Sequence, residues 1–306
     1  MLTTTPMRRG WLFALIATVI YSTNAPVARG AIVAGMDPNT LVFGRFVLGN
    51  LLFALTLSLT TMGRPRGSQR PFDRRGLLIS LGAGMINGAM LLAGAWGLVD
   101  LSASIATLLS IALTPLFVMG LLRLRGERIQ RWDLLRLAIG LLGLYGLIGL
   151  DGTASRWGIA LTALSAFLYA LHMVIVQWFL RPYNTWMVTA TLILGASLPA
   201  GLLWWWMGAN LYVPGAVGWG ALIIQGIAAT YIARILIYEA VNRIGSAQIA
   251  LLTPLEAALT VVWAVLWLAE VITWRQGLGI LLILLSAALA AGRPTFRRRR
   301  LQNLAT

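Results

Sequence analysis

Apolar residues in this chain neither alternate nor keep to one helical face; they run in long blocks broken by short stretches rich in Arg, Gly, Pro or Asn. A block of about 20 residues at about 1.5 Å per residue crosses a hydrocarbon slab of about 30 Å, whereas a soluble helix keeps a polar face. Ten such spans follow one another: 10–34, 38–62, 76–98, 102–122 and 132–150, then 157–180, 184–207, 216–240, 246–269 and 273–292. The pattern predicts an all-α polytopic membrane protein with ten transmembrane helices. The first span follows Arg8 and Arg9 and is too long for the apolar region of a signal peptide, so it is read as a retained helix.

Composition agrees. Of 306 residues, 59% are hydrophobic and 11% charged, which is more apolar surface than a soluble domain of this length can hide. The net charge of +15 would point to nucleic acid in a soluble chain, but its placement here follows the membrane. All 24 basic residues are arginine. Arg8 and Arg9 precede span 1; Arg64, Arg66, Arg70, Arg74 and Arg75 lie between spans 2 and 3; Arg123, Arg125, Arg128 and Arg131 lie between spans 4 and 5. Arg181 follows span 6, Arg243 follows span 8, and Arg293 with Arg297 to Arg300 follows span 10, while the alternate connections hold only Arg156 and Arg275. Short basic loops stay cytoplasmic, so both termini are expected in the cytoplasm of a bacterial inner membrane. The basic tail, 293–306, is expected to meet the lipid surface and not nucleic acid.

With no cysteine and one histidine, neither a zinc ribbon nor a histidine-rich metal site can be built, and no metal or other cofactor is expected. No spacing sets a nucleophile beside a base and an oxyanion donor, and a chain without lysine has no Walker-type loop. The chain is therefore expected not to be an enzyme and not to hydrolyse ATP; a membrane enzyme or receptor is the alternative of another class.

The two halves repeat. At a shift of 144 residues, Leu78 to Ala106 align without gaps on Leu222 to Ala250, with identities including Gly82/Gly226, Ala89/Ala233, Ser102/Ser246 and Ala106/Ala250. Leu-Thr-Pro-Leu occurs at Leu113 to Leu116 and again at Leu252 to Leu255, each followed by a glutamate (Glu127, Glu270) and a tryptophan (Trp132, Trp274). Five spans per half is an odd number, so residues 1–150 and 151–292 form two five-helix repeats of inverted topology around a central cavity. Such repeats supply two interconvertible openings around a midplane site.

The run Tyr21-Ser22-Thr23-Asn24 leading to Arg29, the Pro115 helix ending Gly126-Glu127-Arg128, and the Pro254 helix ending Leu268-Ala269-Glu270 resemble the drug/metabolite transporter superfamily, in particular its ten-helix EamA-type members. The segment Thr253 to Glu270, with Glu256, Trp263 and Trp267, looks most like bacterial exporters of amino acids, including aromatic ones. The resemblance implies an inner-membrane carrier moving small metabolites outward. Two features depart from the family pattern: Ala269 stands where glycine is usual, and the proline-to-glutamate spacing of the second half is long.

Polar groups inside the slab cost several kcal/mol each unless they face a cavity or one another. Span 1 places Tyr21 and Asn24 three apart before Pro26; span 6 does the same with Tyr169 and His172. Span 3 carries Asn87 among glycines, span 8 aligns Tyr231, Arg234 and Tyr238, and span 9 aligns Glu256, Thr260, Trp263 and Trp267. The substrate-binding candidates are thus Tyr21, Asn24, Asn87, Tyr169, His172, Tyr231, Arg234, Tyr238, Glu256 and Trp263. Asn24, Asn87 and His172 have a plainer reading as interhelical hydrogen-bond partners, and Gly140, Gly143 and Gly146 as a close-packing surface. Arg234 and Glu256 stand at matching depth, roughly 13 to 15 Å into the membrane, and are expected to interact directly or through water unless either faces the cavity.

Together these features describe a secondary carrier or facilitator that exports amino acids or related small metabolites by alternating access, its partners being that substrate and the bilayer. Efflux of cationic or aromatic drugs is the alternative. The arginine asymmetry makes one prediction at once. A periplasm-dependent reporter fused after Thr306 stays inactive; periplasmic activity would overturn the topology.

Overall fold

A computed structural model describes residues 5–60, 70–124, 131–148, 155–180, 182–208, 211–244 and 252–291. The basic tail, Arg64, Arg66, Arg125, the Gly126-Glu127-Arg128 corner, Arg181 and the end of the repeated segment, Ser246 to Ala250, lie outside the described residues, as do the side chains of Trp132 and Tyr238.

Almost all the described residues are helical, and none is in a strand. The first helix is in two pieces, α1a (Thr5–Ser22) and α1b (Asn24–Val33); then come α2 (Pro38–Leu59), α3 (Arg74–Asp100), α4 (Ala103–Leu124) and α5 (Arg131–Ile148). The second half has α6 (Arg156–Ile175), which runs on into a π-helical turn Val176–Leu180, and α7 (Thr185–Trp206). Helix α8 is in three pieces, α8a (Gly215–Leu222), a π-helical segment Ile223–Ile232 and α8b (Ala233–Ile244); α9 (Thr253–Leu268) and α10 (Trp274–Ala291) complete it. These rods occupy the ten predicted spans. Seven stretches among the described residues are long and apolar enough to cross a membrane, and Pro254–Leu268 and Trp274–Ser286 are shorter apolar helices. The protein is a multi-pass membrane protein.

Helix starts are set by local chemistry. Asp37 accepts from Thr40 N at 2.9 Å with Pro38 in the first turn of α2, Ser155 accepts from Gly158 N at 3.2 Å, and Asn184 accepts from Trp186 N at 2.9 Å. Each side chain satisfies a backbone donor that the helix itself leaves open.

The halves interleave. Helix α3 packs on α6 and α7, and its repeat counterpart α8 packs on α1 and α2; α4 meets α6 as α9 meets α1. Pairs α2/α7, α4/α9 and α5/α10 meet across the pseudo-two-fold axis. Missing side chains permit the closest of these approaches: a Cβ on Gly84 would lie 2.3 Å from Leu192 O, and one on Gly195 would lie 2.4 Å from Leu81 O. On α5, a Cβ on Gly143 would lie 2.8 Å from Gly279 O of α10, the close-packing role read from the Gly140, Gly143 and Gly146 row. The symmetry is broken at one end. Helix α1b packs on α3 and α4, whereas among the described residues α6 does not pack in this way on α8 or α9.

Where the chain enters α3, Asp73 caps the helix by accepting from Gly76 N at 2.7 Å and also takes the Tyr183 O–H at 3.0 Å. Arg70 N donates to Pro182 O at 2.9 Å, and the rings of Phe72 and Tyr183 meet edge to face, so the 2–3 and 6–7 connections are clamped together. The Gly76 amide, then the Tyr183 hydroxyl, hold the Asp73 carboxyl below its ordinary range. Its contribution to stability is thus present above the ordinary aspartate pKa of about 3.9 and is lost as pH falls through the lower folded value. Thermal midpoints of the purified protein should fall on acidification below about pH 4, and Asp73→Asn should remove part of that acid-dependent loss. An unchanged acid limb in Asp73→Asn would refute the clamp.

Candidate functional site

Mid-membrane polar chemistry gathers at the break in α1. Ser22 Oγ donates to Val19 O at 2.7 Å and Thr23 Oγ1 to Ile20 O at 2.7 Å, so hydroxyls take the last carbonyls of α1a, while Pro26 removes a donor from α1b. Gln225 Nε2, from the π segment of α8, donates to Asn24 O at 3.1 Å, and Gln225 Oε1 accepts from Arg45 Nη1 of α2 at 3.0 Å. Arg45 Nε donates to Thr230 Oγ1 at 3.1 Å, and that hydroxyl in turn donates to Gln225 O at 2.7 Å. Residues five apart become neighbours when hydrogen bonds run i to i+5, so the π segment lets Gln225 and Thr230 grip one guanidinium. Trp263 Nε1 reaches the same break from α9, donating to Ser22 Oγ at 3.0 Å.

The predicted residues divide around this network. Asn24 is part of it through its carbonyl, and its Oδ1 is buried without a hydrogen-bond partner. Tyr21 and Arg234 lie within electrostatic range of Arg45, and Arg234 also lies within range of His172. Trp263 stacks on Trp267 with ring centroids 4.7 Å apart. His172 is buried and its Nδ1–H donates to Ala83 O at 2.9 Å, tying α6 to α3, while Tyr169 is exposed. Asn87 is buried beside Met90, with Nδ2 at 3.8 Å from the sulfur. Tyr231 packs edge to face on Phe53 and donates to Thr56 Oγ1 of α2. It belongs to the π segment, so Tyr231 and Arg234 do not share the uninterrupted α-helical face that their spacing suggested; the Tyr238 side chain lies outside the described residues.

Among the described residues Arg243 pairs with Glu239 at 3.1 Å, while Arg234 lies within electrostatic range of Arg45 and His172. Helix α9 as described begins at Thr253, which puts Glu256 in its first turn, where the positive end of the helix dipole favours a carboxylate.

The sequence profile of the EamA-like transporter family matches this chain twice, over residues 8–149 and 156–292. The chain belongs to the EamA-like transporter family. It is therefore a membrane transporter of the drug/metabolite superfamily. One solved structure, described only as the crystal structure of a protein, superposes with a TM-score of 0.61 at 21% identity, covering 92% of this chain and 96% of its own, and shares the fold. No curated protein is significantly similar in sequence.

At the α1b end of this EamA-like transporter, Arg29 and Glu270, residues on which the sequence reading was nearly silent, tie helix termini together. Arg29 Nη1 donates to Leu98 O and to Val99 O, taking the open carbonyls at the end of α3. Glu270, just past α9, accepts from Ala103 N at 2.6 Å and Ser104 N at 3.2 Å, placing a carboxylate on the N-terminus of α4. A cavity of about 210 Å³ beside it is lined by Ser102, Ser104, Ile105, Glu270, Val271, Ile272, Gln276 and Ile280, and shares no residue with the Arg45 network. Glu270 is aimed by Ala269, which takes the left-handed conformation at φ 52°. That position suits glycine. A non-glycine residue there costs roughly 1 to 2 kcal/mol, so Ala269→Gly should stabilise the protein by about 1 kcal/mol. A lowered thermal midpoint would refute the strain at this corner.

Proposed function

We propose that this EamA-like transporter exports amino acids or related small amphipathic metabolites across the bacterial inner membrane by alternating access, with both termini and the basic tail in the cytoplasm. The observation that carries the reading is the meeting, at a break in α1, of a guanidinium from one repeat, an amide from the other and an unpartnered amide oxygen, Asn24 Oδ1. Discontinuous helices at mid-membrane are where secondary transporters hold ionic substrates. Tyr21 and Trp263 flank that break and give an amphipathic substrate aromatic surface; Asn87, Tyr169, His172, Tyr231, Arg234, Tyr238 and Glu256 complete the proposed lining on the facing helices.

On the proposed topology the α1b end is extracytoplasmic and closed, so the cavity is set to load from the cytoplasm. Rocking of repeat 1–150 against repeat 151–292 then exchanges the closed end for the open one. Free substrate gradients or a coupled ion supply the energy. In proteoliposomes, radiolabelled L-amino acids should show saturable counterflow, and Asn24→Ala should lower it at least several-fold while the protein stays folded. Absence of saturable flux for every amino acid would sink the reading, and equal flux in Asn24→Ala would remove the α1 break from the site.

A further inference from the structure

Arg45 lies eight residues into α2, about 11 Å from its start at 1.5 Å per residue, and is only 7% exposed. Its Nε and Nη1 are held by neutral acceptors, Thr230 Oγ1 and Gln225 Oε1. Among the described residues no acceptor meets Nη2 and no carboxylate pairs with the guanidinium, yet Nη2 is not one of the sealed polar atoms of the interior. The charges in range of it offer no neutralisation: Arg234 carries the same sign, and Tyr21 is a phenol. The acidic side chains described near the membrane stand elsewhere. Asp37 caps α2, Glu270 caps α4, Glu239 pairs with Arg243, and Glu256 sits in the first turn of α9. A buried cation without a counter-ion is costly, and two cations near each other more so. The two neutral acceptors fix the guanidinium fork with its third nitrogen presented outward, the arrangement by which arginine reads a planar anion.

We propose that Arg45 is the residue that recognises a substrate carboxylate, through Nη2, and that the transporter is thereby selective for small carboxylates over amines lacking one. The inference rests on the proposed function and deepens it, because it excludes a purely cationic drug as the preferred cargo. Asn24 Oδ1, joined to Arg45 through the Gln225 amide, accepts an N–H from an amino-acid substrate at the other side of the same network.

Three probes separate the possibilities: L-phenylalanine, L-phenylalaninamide, which keeps the ammonium and loses the carboxylate, and 3-phenylpropionate, which does the reverse. Binding to the purified full chain in detergent is read by quenching of its 13 tryptophans and by the ligand-induced rise in thermal midpoint. L-phenylalanine and 3-phenylpropionate should bind, and the amide at least tenfold more weakly. Arg45→Gln should abolish that preference, Arg45→Lys should weaken both carboxylates several-fold, and Thr230→Val, which keeps the charge but loosens the fork, should weaken them without changing the ranking. Where Arg45→Gln does not fold, the wild-type ranking and Thr230→Val decide. Equal or tighter binding of the amide, or a folded Arg45→Gln that retains the preference, overturns the role of Arg45 and leaves a transporter of amines. Binding of none of the three overturns the amino-acid reading and this inference with it.

Discussion

An amide, hydroxyl or guanidinium inside hydrocarbon has only protein and trapped water to bond, and leaving it unmet costs several kcal/mol. Helix α2 carries Asn39, Arg45 and Thr56 into the membrane, and each is met by a side chain from another helix. Trp96 Nε1 of α3 donates to Asn39 Oδ1 at 3.0 Å, Gln225 and Thr230 of α8 hold Arg45, and Tyr231 of α8 donates to Thr56. Trp204 Nε1 of α7 reaches Thr40 Oγ1 at 3.1 Å. These are contacts between repeats as much as within them, so polar satisfaction welds α2 to the opposite half. The same rule operates on α6, where His172 and Ser165 donate to the carbonyls of Ala83 and Met90 on α3.

Close packing and polar bonding have different jobs here. Lipid tails are as apolar as leucine, so helices gain little by hiding apolar surface from them, and small residues that let backbones touch carry the association. That is the role of Gly84 and Gly195 between α3 and α7, and of Gly143 and Gly279 between α5 and α10. Neither contact includes a residue of the Arg45 network. Where α1, α2, α8 and α9 converge, polar bonds join the same kind of close packing, as at Gly49 against Thr230.

Block length alone located all ten helices, because twenty apolar residues in a row have few other uses. The repeat was legible through Leu78 to Ala106 and its copy, and the paired spacing of Tyr21 with Asn24 and Tyr169 with His172 is a further trace of it. Identical spacing did not mean identical use: Asn24 keeps an unpartnered oxygen at the break, whereas His172 is spent on a backbone carbonyl. The π segment was invisible to a reading in steps of 100° per residue, in which Gln225 and Thr230 point about 140° apart. Helix α9 as described begins at Thr253, later than its apolar block, which places Glu256 in a first turn where the sequence reading had it mid-helix. Arg45 was legible and passed over. Counting arginines for loop charge drew attention from one standing inside span 2, where an arginine costs about 3 kcal/mol at the helix centre and marks a functional position by its depth alone.

At the α1b end, polar bonds to helix termini stand beside a buried apolar cluster that includes Ala31, Met36, Leu98 and Leu101. An alternating carrier must keep its two states within a few kcal/mol, so that a substrate's differential affinity can move the balance. Beside that cluster, Arg29 on two carbonyls of α3 and Glu270 on two amides of α4 add four charge-assisted hydrogen bonds, each worth about 1.5 to 3 kcal/mol at most and less where water competes. Both fasten helix termini, groups that water at the membrane surface satisfies as soon as they part. In the proposed cycle, opening exchanges these protein partners for solvent. In the sequence, Glu127 follows the first Leu-Thr-Pro-Leu as Glu270 follows the second. In the proposed cycle, a single substrate charge at the Arg45 network is of the right magnitude to shift such a balance.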